Sequence, residues 1–443
     1  MKFKFLYLIM LLIIFSMANV FADSPKDWLD DEVPSLYKTY EKYFDYVGFG
    51  VEYGNFGSNW GTKKELNFSE VQKGLVKHAN TITMGNEFKP QFIMAWWGKK
   101  PEVSGTFKAS NGITIKTPVL KGLSRLDEIL SICKANSLMM RGHVLVWHSQ
   151  TEDAFFYEDY DTTKNLVGKD EMNARLEWYI KTVLEHVALW EKKNNGGKHI
   201  IWAWDVVNEA TSDNSQPGAY KSSYPEHWLR TAGTKWFDIY DSEEFIINAF
   251  AFANKYAPKD VKLCYNDYGG IYENRMSDKH ESMLRVVDLL LKHKSDPLPT
   301  RIDVMGLQAH CNVKNGAVIF EKEIKDFILR GIDVHITELD IGTWNGYNPN
   351  TDAVKITGKQ YKTLSAAYKD FFAMFIRNRK TEDRHGIECV TIWGLNDEAT
   401  WLNSPSQRVW LGNCDQYPLL FTKKGKSYIP KKAFYAVIEA AEE

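Results

Sequence analysis

Short apolar, β-branched runs alternate with longer amphipathic stretches along nearly the whole chain, and this alternation constrains the fold more than any other feature. Eight runs are strand-like: 46–51, 81–85, 139–146, 200–207, 261–265, 304–308, 333–337 and 388–393. Between them lie helical patterns such as 123–136, 173–192 and 277–293. In the last, Met283, Leu284, Val287, Leu290 and Leu291 recur on one face at helical spacing. Eight strands, each followed by a helix, close into a single (β/α)8 barrel. An open doubly wound sheet is the weaker reading, because no GxGxxG fingerprint follows the first strand. Residues 98–117 are turn-rich with two short β-like pieces and read as an insertion after the second strand. Residues 430–441 read as the closing helix. No linker, repeat or low-complexity tract interrupts the pattern, so one catalytic-sized domain is expected over 23–443.

The first 22 residues read as a signal peptide. Lys2 and Lys4 precede an apolar stretch over 5–17, and Val20-Phe21-Ala22 fits a small-residue cleavage site. Secretion of the processed chain is expected, with no membrane association afterwards. The alternative is an uncleaved anchor, for which the apolar run is short. A formal net charge of −2 offers no basic excess to displace counterions, which argues against nucleic acid as a partner. The five cysteines, Cys133, Cys264, Cys311, Cys389 and Cys414, are odd in number and stand in no metal-ligand spacing. No structural zinc is expected, and Cys264 with Cys311 is the candidate disulfide. HExxH, EF-hand and GxSxG patterns are all missing from the sequence.

Two segments carry the chemistry, Trp204-Asp205-Val206-Val207-Asn208-Glu209-Ala210 and His335-Ile336-Thr337-Glu338-Leu339-Asp340-Ile341. Each is an apolar run whose polar tip holds one glutamate. A buried strand that exposes a carboxylate at its C-terminal end is how a barrel presents catalytic groups. Two carboxylates facing one another across a pocket are the minimum equipment for cleaving a glycosidic bond. The bland alternative is a pair of strand-end salt-bridge partners. Aromatic residues make up 14% of the chain, and their flat faces suit stacking on sugar rings, although most belong to a core of this size.

Seven blocks, in order and each at a predicted strand end, then resemble those of the glycoside hydrolase family 10 endo-β-1,4-xylanases. They are Arg141 to Gln150, Trp204 to Ala210, Asn266-Asp267-Tyr268, Gln308-Ala309-His310, Thr337-Glu338-Leu339-Asp340, Trp393-Gly394 and Trp401. The resemblance implies a retaining endo-hydrolase of xylan and xylo-oligosaccharides, acting as a monomer without cofactor or metal. It implies Glu209 as general acid/base and Glu338 as nucleophile, with the carboxyls about 5–5.5 Å apart. Asn208, His310 and Asp340 would support them. Asn86, Lys89, His143 and Gln308 would bond sugars on the non-reducing side under Trp393 and Trp401, with Tyr268 as a platform on the reducing side. Trp147 reads as pocket wall with core as the alternative, while His148 and Asn266 are divided between support and sugar contact.

Three departures qualify the resemblance. Gly85 stands where the family often has Glu, and strand alternation points nearby Glu87 the other way. The 98–117 insertion is positioned to reshape one end of the cleft. Phe421-Thr422 replaces an expected apolar-Asp pair, with only a structural effect foreseen. Two other readings stay open: the same chemistry on cellulose or mannan, and a sugar-binding protein that has lost catalysis.

Overall fold

The computed structural model describes residues 25–53, 65–272, 275–344, 346–357 and 360–443. The expected signal peptide lies outside the described residues. Eight parallel strands form the centre: β1 (Tyr46–Val51), β2 (Thr81–Met84), β3 (Met139–Trp147), β4 (Ile201–Asn208), β5 (Lys262–Asp267), β6 (Val304–Leu307), β7 (Asp333–Gly342) and β8 (Ile387–Ile392). Each pairs with its neighbours in sequence, and β8 pairs back onto β1, so the sheet closes. The expected (β/α)8 barrel is the observed fold.

The helices on the outside are α1 (Ser69–His78), α2 (Leu123–Ala135), α3 (Lys169–Asn194), α4 (Glu244–Tyr256), α5 (Asp278–Lys292), α6 (Ala317–Ile328), α7 (Leu364–Arg377) and α8 (Lys432–Ala440). Their apolar stripes pack inward. In α5, Met283, Val287 and Leu290 are buried, while Leu284 and Leu291 lie partly buried beside them. Such burial of large aliphatic side chains contributes about 1.5–3 kcal/mol each. No described helix is long and apolar enough to cross a membrane. The 98–117 segment forms a hairpin of Val103–Lys108 with Thr114–Pro118.

Boundaries shifted most where the chain becomes polar. β5 runs two residues past its predicted end, to Asp267, and β7 runs five further, to Gly342. Both extensions carry polar side chains buried inside the barrel mouth, where neighbouring strands satisfy their backbones.

The predicted Cys264–Cys311 disulfide is wrong, and all five cysteines are free. Cys264 pairs in register with Val304, which itself lies opposite Asp333 at the start of β7. Cys311 lies opposite Ile341, near the other end of that strand. Eight residues of strand separate the two levels, about 26 Å, far beyond disulfide reach.

The barrel interior is not uniformly apolar. At its N-terminal end Glu388 accepts from Lys262 Nζ (2.6 and 2.8 Å) and Lys380 Nζ (2.6 Å), and pairs with His335 Nε2 at 2.7 Å. Asp333 binds the same two lysines and His385. Above them Arg141 donates to His335 Nδ1 (3.3 Å) and to Asp205 (2.5 Å), and Asp205 accepts from His143 Nδ1 (2.9 Å). Burial holds His335 down at about 4, so its neutral ring accepts from Arg141 and donates to Glu388.

Candidate active site

Strand register brings the predicted residues to one level at the C-terminal face. Trp147 lies opposite Asn208, Asn208 opposite Asn266, and His310 opposite Asp340. Gly306 is required beside Asn266, because a Cβ there would come within 2.5 Å of its Oδ1. Glu209, the first residue beyond β4, adopts φ 54°, a left-handed conformation that side-chain-bearing residues rarely take. Its N–H donates to Asn266 O (2.9 Å), and Arg230 Nε donates to its carbonyl (3.0 Å).

Glu209 accepts from Gln308 Nε2 and Trp147 Nε1, each at 2.9 Å. Its pKa is raised. Burial is the main cause, and the negative charges of Asp267 and Glu338 add to it against those two hydrogen bonds. Glu338 moves the other way. Burial alone would raise it, yet the His310 contact, the electrostatic influence of His143 and a hydrogen bond from Asn266 hold it below its usual range. Opposite shifts on two neighbouring carboxyls separate an acid from an anion.

Asn266 is the hub. Its Nδ2 donates to Asn208 Oδ1 and to Glu338 Oε1, both at 2.9 Å, while Thr337 Oγ1 donates to its Oδ1 at 2.7 Å. Gln308 Nε2 also reaches Asn208 Oδ1 at 3.3 Å. A continuous hydrogen-bond chain thus runs from Glu209 through Gln308, Asn208 and Asn266 to Glu338. His310 stands between two carboxylates, with Nε2 3.4 Å from Glu338 and Nδ1 3.0 Å from Asp340. Burial disfavours its charge, but Asp340 and Glu338 outweigh that and lift it to about 10. His310 is therefore an imidazolium at neutral pH. Asp340 also accepts from Trp401 Nε1 (2.7 Å), and the Trp401 ring lies 4.8 Å from that of His310.

Two ends flank this centre. At one, Lys89 Nζ donates to Asn86 Oδ1 (3.2 Å) and Gln150 Oε1 (2.9 Å) and lies 4.9 Å above the Trp147 ring. Asn86 in turn donates to Glu52 (3.3 Å), beside the vacant side-chain position of Gly85. Trp393 and Trp401 line the adjoining cavity with Glu52 and Gly85. Gly50 lets Trp393 lie over the end of β1, since a Cβ would meet its ring at 2.7 Å. His143 packs edge-on to Trp393. Glu87 instead turns away to accept the Tyr53 N–H (2.9 Å).

At the other end Tyr268 OH donates to Asp213 (2.6 Å), and Lys279 Nζ sits 3.6 Å over its ring. Arg230 clamps Asp213 through two bonds (2.9 and 3.1 Å). His148 is half-buried with its ring edge-on to that of Trp147, and desolvation lowers it to about 4, so it is neutral at neutral pH. Thr422 only caps Glu398 (2.7 Å).

Gln150, Arg230, Asp213, Lys279 and Glu52 were not singled out from the sequence. Gln150 closes the Arg141 to Gln150 block. The others sit in unremarkable loop or helix contexts, and only their partners reveal them.

The fold and this site define a (β/α)8 barrel with a paired-carboxylate centre of the glycosidase type. The chain belongs to glycosyl hydrolase family 10, whose family model matches residues 35–440. It is 31% identical over 376 residues to endo-1,4-beta-xylanase Y of Acetivibrio thermocellus, covering 84% of this chain and 30% of that one. It is 30% identical over 439 residues to the beta-1,4-xylanase of Dictyoglomus thermophilum, covering 99% of both. Among curated relatives the chain spans from about a third to about half of several longer ones, and nearly all of others. The solved structure of Clostridium thermocellum endo-1,4-beta-D-xylanase 10B with xylohexaose superposes at TM-score 0.67 and 28% identity, covering 91% of this chain and 67% of that one.

Proposed function

We propose that this chain is an endo-acting β-1,4-xylanase that cleaves xylan by a retaining double displacement. The observation that carries the reading is the arrangement of two carboxyls in one hydrogen-bonded network, with the neutral donors Gln308 and Trp147 on Glu209 and His310 with Asn266 on Glu338; the raised Glu209 and lowered Glu338 agree with it. Glu338 attacks the anomeric carbon while Glu209 gives its proton to the departing glycosidic oxygen. That forms a glycosyl ester and frees the leaving chain. Esterification removes the Glu338 charge, so the Glu209 carboxyl becomes easier to ionise. It then takes a proton from water as the water oxygen attacks the same carbon and releases Glu338.

His310 and Asn266 hold the nucleophile, one by charge and one by hydrogen bond. His310 in turn is fixed by Asp340, which Trp401 steadies. Asn208, whose Oδ1 accepts from Asn266 and Gln308, donates its amide N–H to the sugar 2-hydroxyl in this reading. The Asn86, Lys89, His143 and Gln308 groups bond sugars on the non-reducing side against Trp393 and Trp401, with Trp147 as wall, and Tyr268 receives the reducing side. In this reading the working unit is a monomer. Export through cleavage after Ala22 is part of the same proposal, and N-terminal sequencing of the exported protein tests it.

The decisive experiment follows hydrolysis of a decorated xylan by proton NMR, with carboxymethyl-cellulose and mannan as competitors. Initial release of β-configured reducing ends from xylan is expected. Initial α-products, or faster cleavage of either competitor, would overturn the mechanism or the substrate respectively.

A further inference from the structure

Two exposed tryptophans outside the catalytic centre share an unusual construction. Trp97 (45% exposed) and Trp344 (36% exposed) both adopt left-handed backbone conformations, with φ of 55° and 54°. For a bulky side chain this conformation costs roughly 1–2 kcal/mol. Each is held there by one buried polar side chain that receives two consecutive backbone N–H groups. The Glu152 carboxylate accepts from Trp97 N (2.6 Å) and Gly98 N (3.1 Å). The Gln416 amide oxygen accepts from Thr343 N (3.0 Å) and Trp344 N (2.8 Å). Both clamping side chains are at least 98% buried.

Both turns belong to the catalytic face. Trp97 follows the short helix Pro90–Met94, which begins immediately after Lys89. The loop that carries Glu152 also carries Gln150, whose side chain binds Lys89 and whose carbonyl accepts the Gln91 N–H (2.8 Å). Phe92 meets the Trp97 ring edge-on at 5.4 Å. Trp344 lies two residues beyond the end of β7, the strand of Glu338. By contrast Trp410, more exposed still at 81%, sits on a six-residue helix with an ordinary backbone.

Backbone strain maintained by a buried clamp, at a site where it exposes a large aromatic, is the kind of outlier from which function is inferred. We infer that Trp97 and Trp344 are outlying sugar-stacking platforms, each taking one pyranose ring of a polymeric substrate beyond the rings held at the Glu209–Glu338 centre. A rigid indole loses little conformational freedom on binding, and its flat face suits the apolar side of a pyranose. The proposal rests on the polysaccharide reading above but not on which polysaccharide it is.

The test compares Trp97→Ala, Trp344→Ala and the matching Tyr variants on long polymer and on an aryl disaccharide of the same sugar. Each Ala variant is expected to lower kcat/KM on polymer by about 3- to 10-fold, the scale of one aromatic contact, chiefly through KM. The polymer-to-disaccharide ratio falls with it, and the Tyr variants recover most of the loss. Unchanged polymer kinetics, or equal losses on both substrates, would overturn the inference. Thermal unfolding of each variant identifies any loss that comes from misfolding, and Tyr variants that fold yet recover nothing would also overturn it. Failure of the xylanase reading is separate: it appears as wild-type preference for another glycan, on which the same ratio is then measured.

Discussion

One barrel holds two buried acid–base clusters, and they behave in opposite ways. At the N-terminal end Glu388 and Asp333 each face both Lys262 and Lys380 within 3 Å, with the neutral His335 beside Glu388 and His385 beside Asp333. Both acids are held below their usual range, with burial outweighed by those hydrogen bonds. At the C-terminal end His310 answers Glu338 and Asp340, while the Glu209 carboxyl accepts, among the described residues, from the neutral donors Gln308 and Trp147. Similar residues, similarly buried, become a ledger of matched charges at one end and a poised acid at the other. The difference lies in whether a cation or a neutral donor faces the carboxyl, and a site that moves protons needs the second.

Exchanging carboxylate for amide breaks this contrast most sharply. Glu338→Gln is expected to lower activity on xylan by about 10⁴-fold or more, with a melting temperature close to wild type, read by steady-state kinetics and calorimetry. Glu388→Ala should do the reverse. Removing one partner of a buried ion cluster destabilises the fold by about 3–5 kcal/mol, measured by urea unfolding, while the folded fraction keeps its kcat.

Glu209→Gln sharpens the comparison from the other side. Loss of the acid should cost about 10²- to 10⁴-fold on xylan, and far less for the first step on a dinitrophenyl glycoside, whose leaving group needs no proton. Because the folded pKa of Glu209 lies above its unfolded value, this carboxyl withdraws stability as pH rises through that interval. The variant is expected to melt above wild type at neutral pH but not well below pH ~4. An unchanged or lower melting temperature at pH 7 would contradict the raised pKa.

His310 and Glu388, one at each end, should also lose their contributions at opposite extremes of pH. Stability from His310 is fully present below its unfolded pKa of about 6.5 and is lost as pH rises through its folded value of about 10. Stability from Glu388 is present above about pH 4.3 and is lost as pH falls towards its depressed folded value. His310→Gln should flatten the alkaline limb of a melting-temperature profile, and Glu388→Gln the acid limb. The smallest effect is expected at the rim. Tyr268→Phe removes one hydrogen bond to Asp213, worth about 0.5–1.5 kcal/mol, and chemical denaturation should register no more than that.

Much of this was legible in the residues. The eight strands were found within a few positions because apolar β-branched runs bounded by turns are a local signal. Glu209 and Glu338 were found because each ends such a run. The ends of β5 and β7 were missed because buried polar residues read locally as loop. Cys264 and Cys311 were wrongly paired because sequence gives neighbouring strands but not the height of a residue along them.

By itself the sequence determined the alternation of strand and helix, hence the closed barrel, and the placement of one glutamate at each of two strand tips. Those are matters of local pattern, fixed by periodicity and by which side chains tolerate burial. Only the tertiary structure decided that Asn266 would bridge Asn208 to Glu338, that His310 would lie between two carboxylates, and that the Glu209 carboxyl would accept from two neutral donors, Gln308 and Trp147. Ionisation depends on charges and donors within a few ångströms. Strand register brings those groups together from segments up to about 130 residues apart.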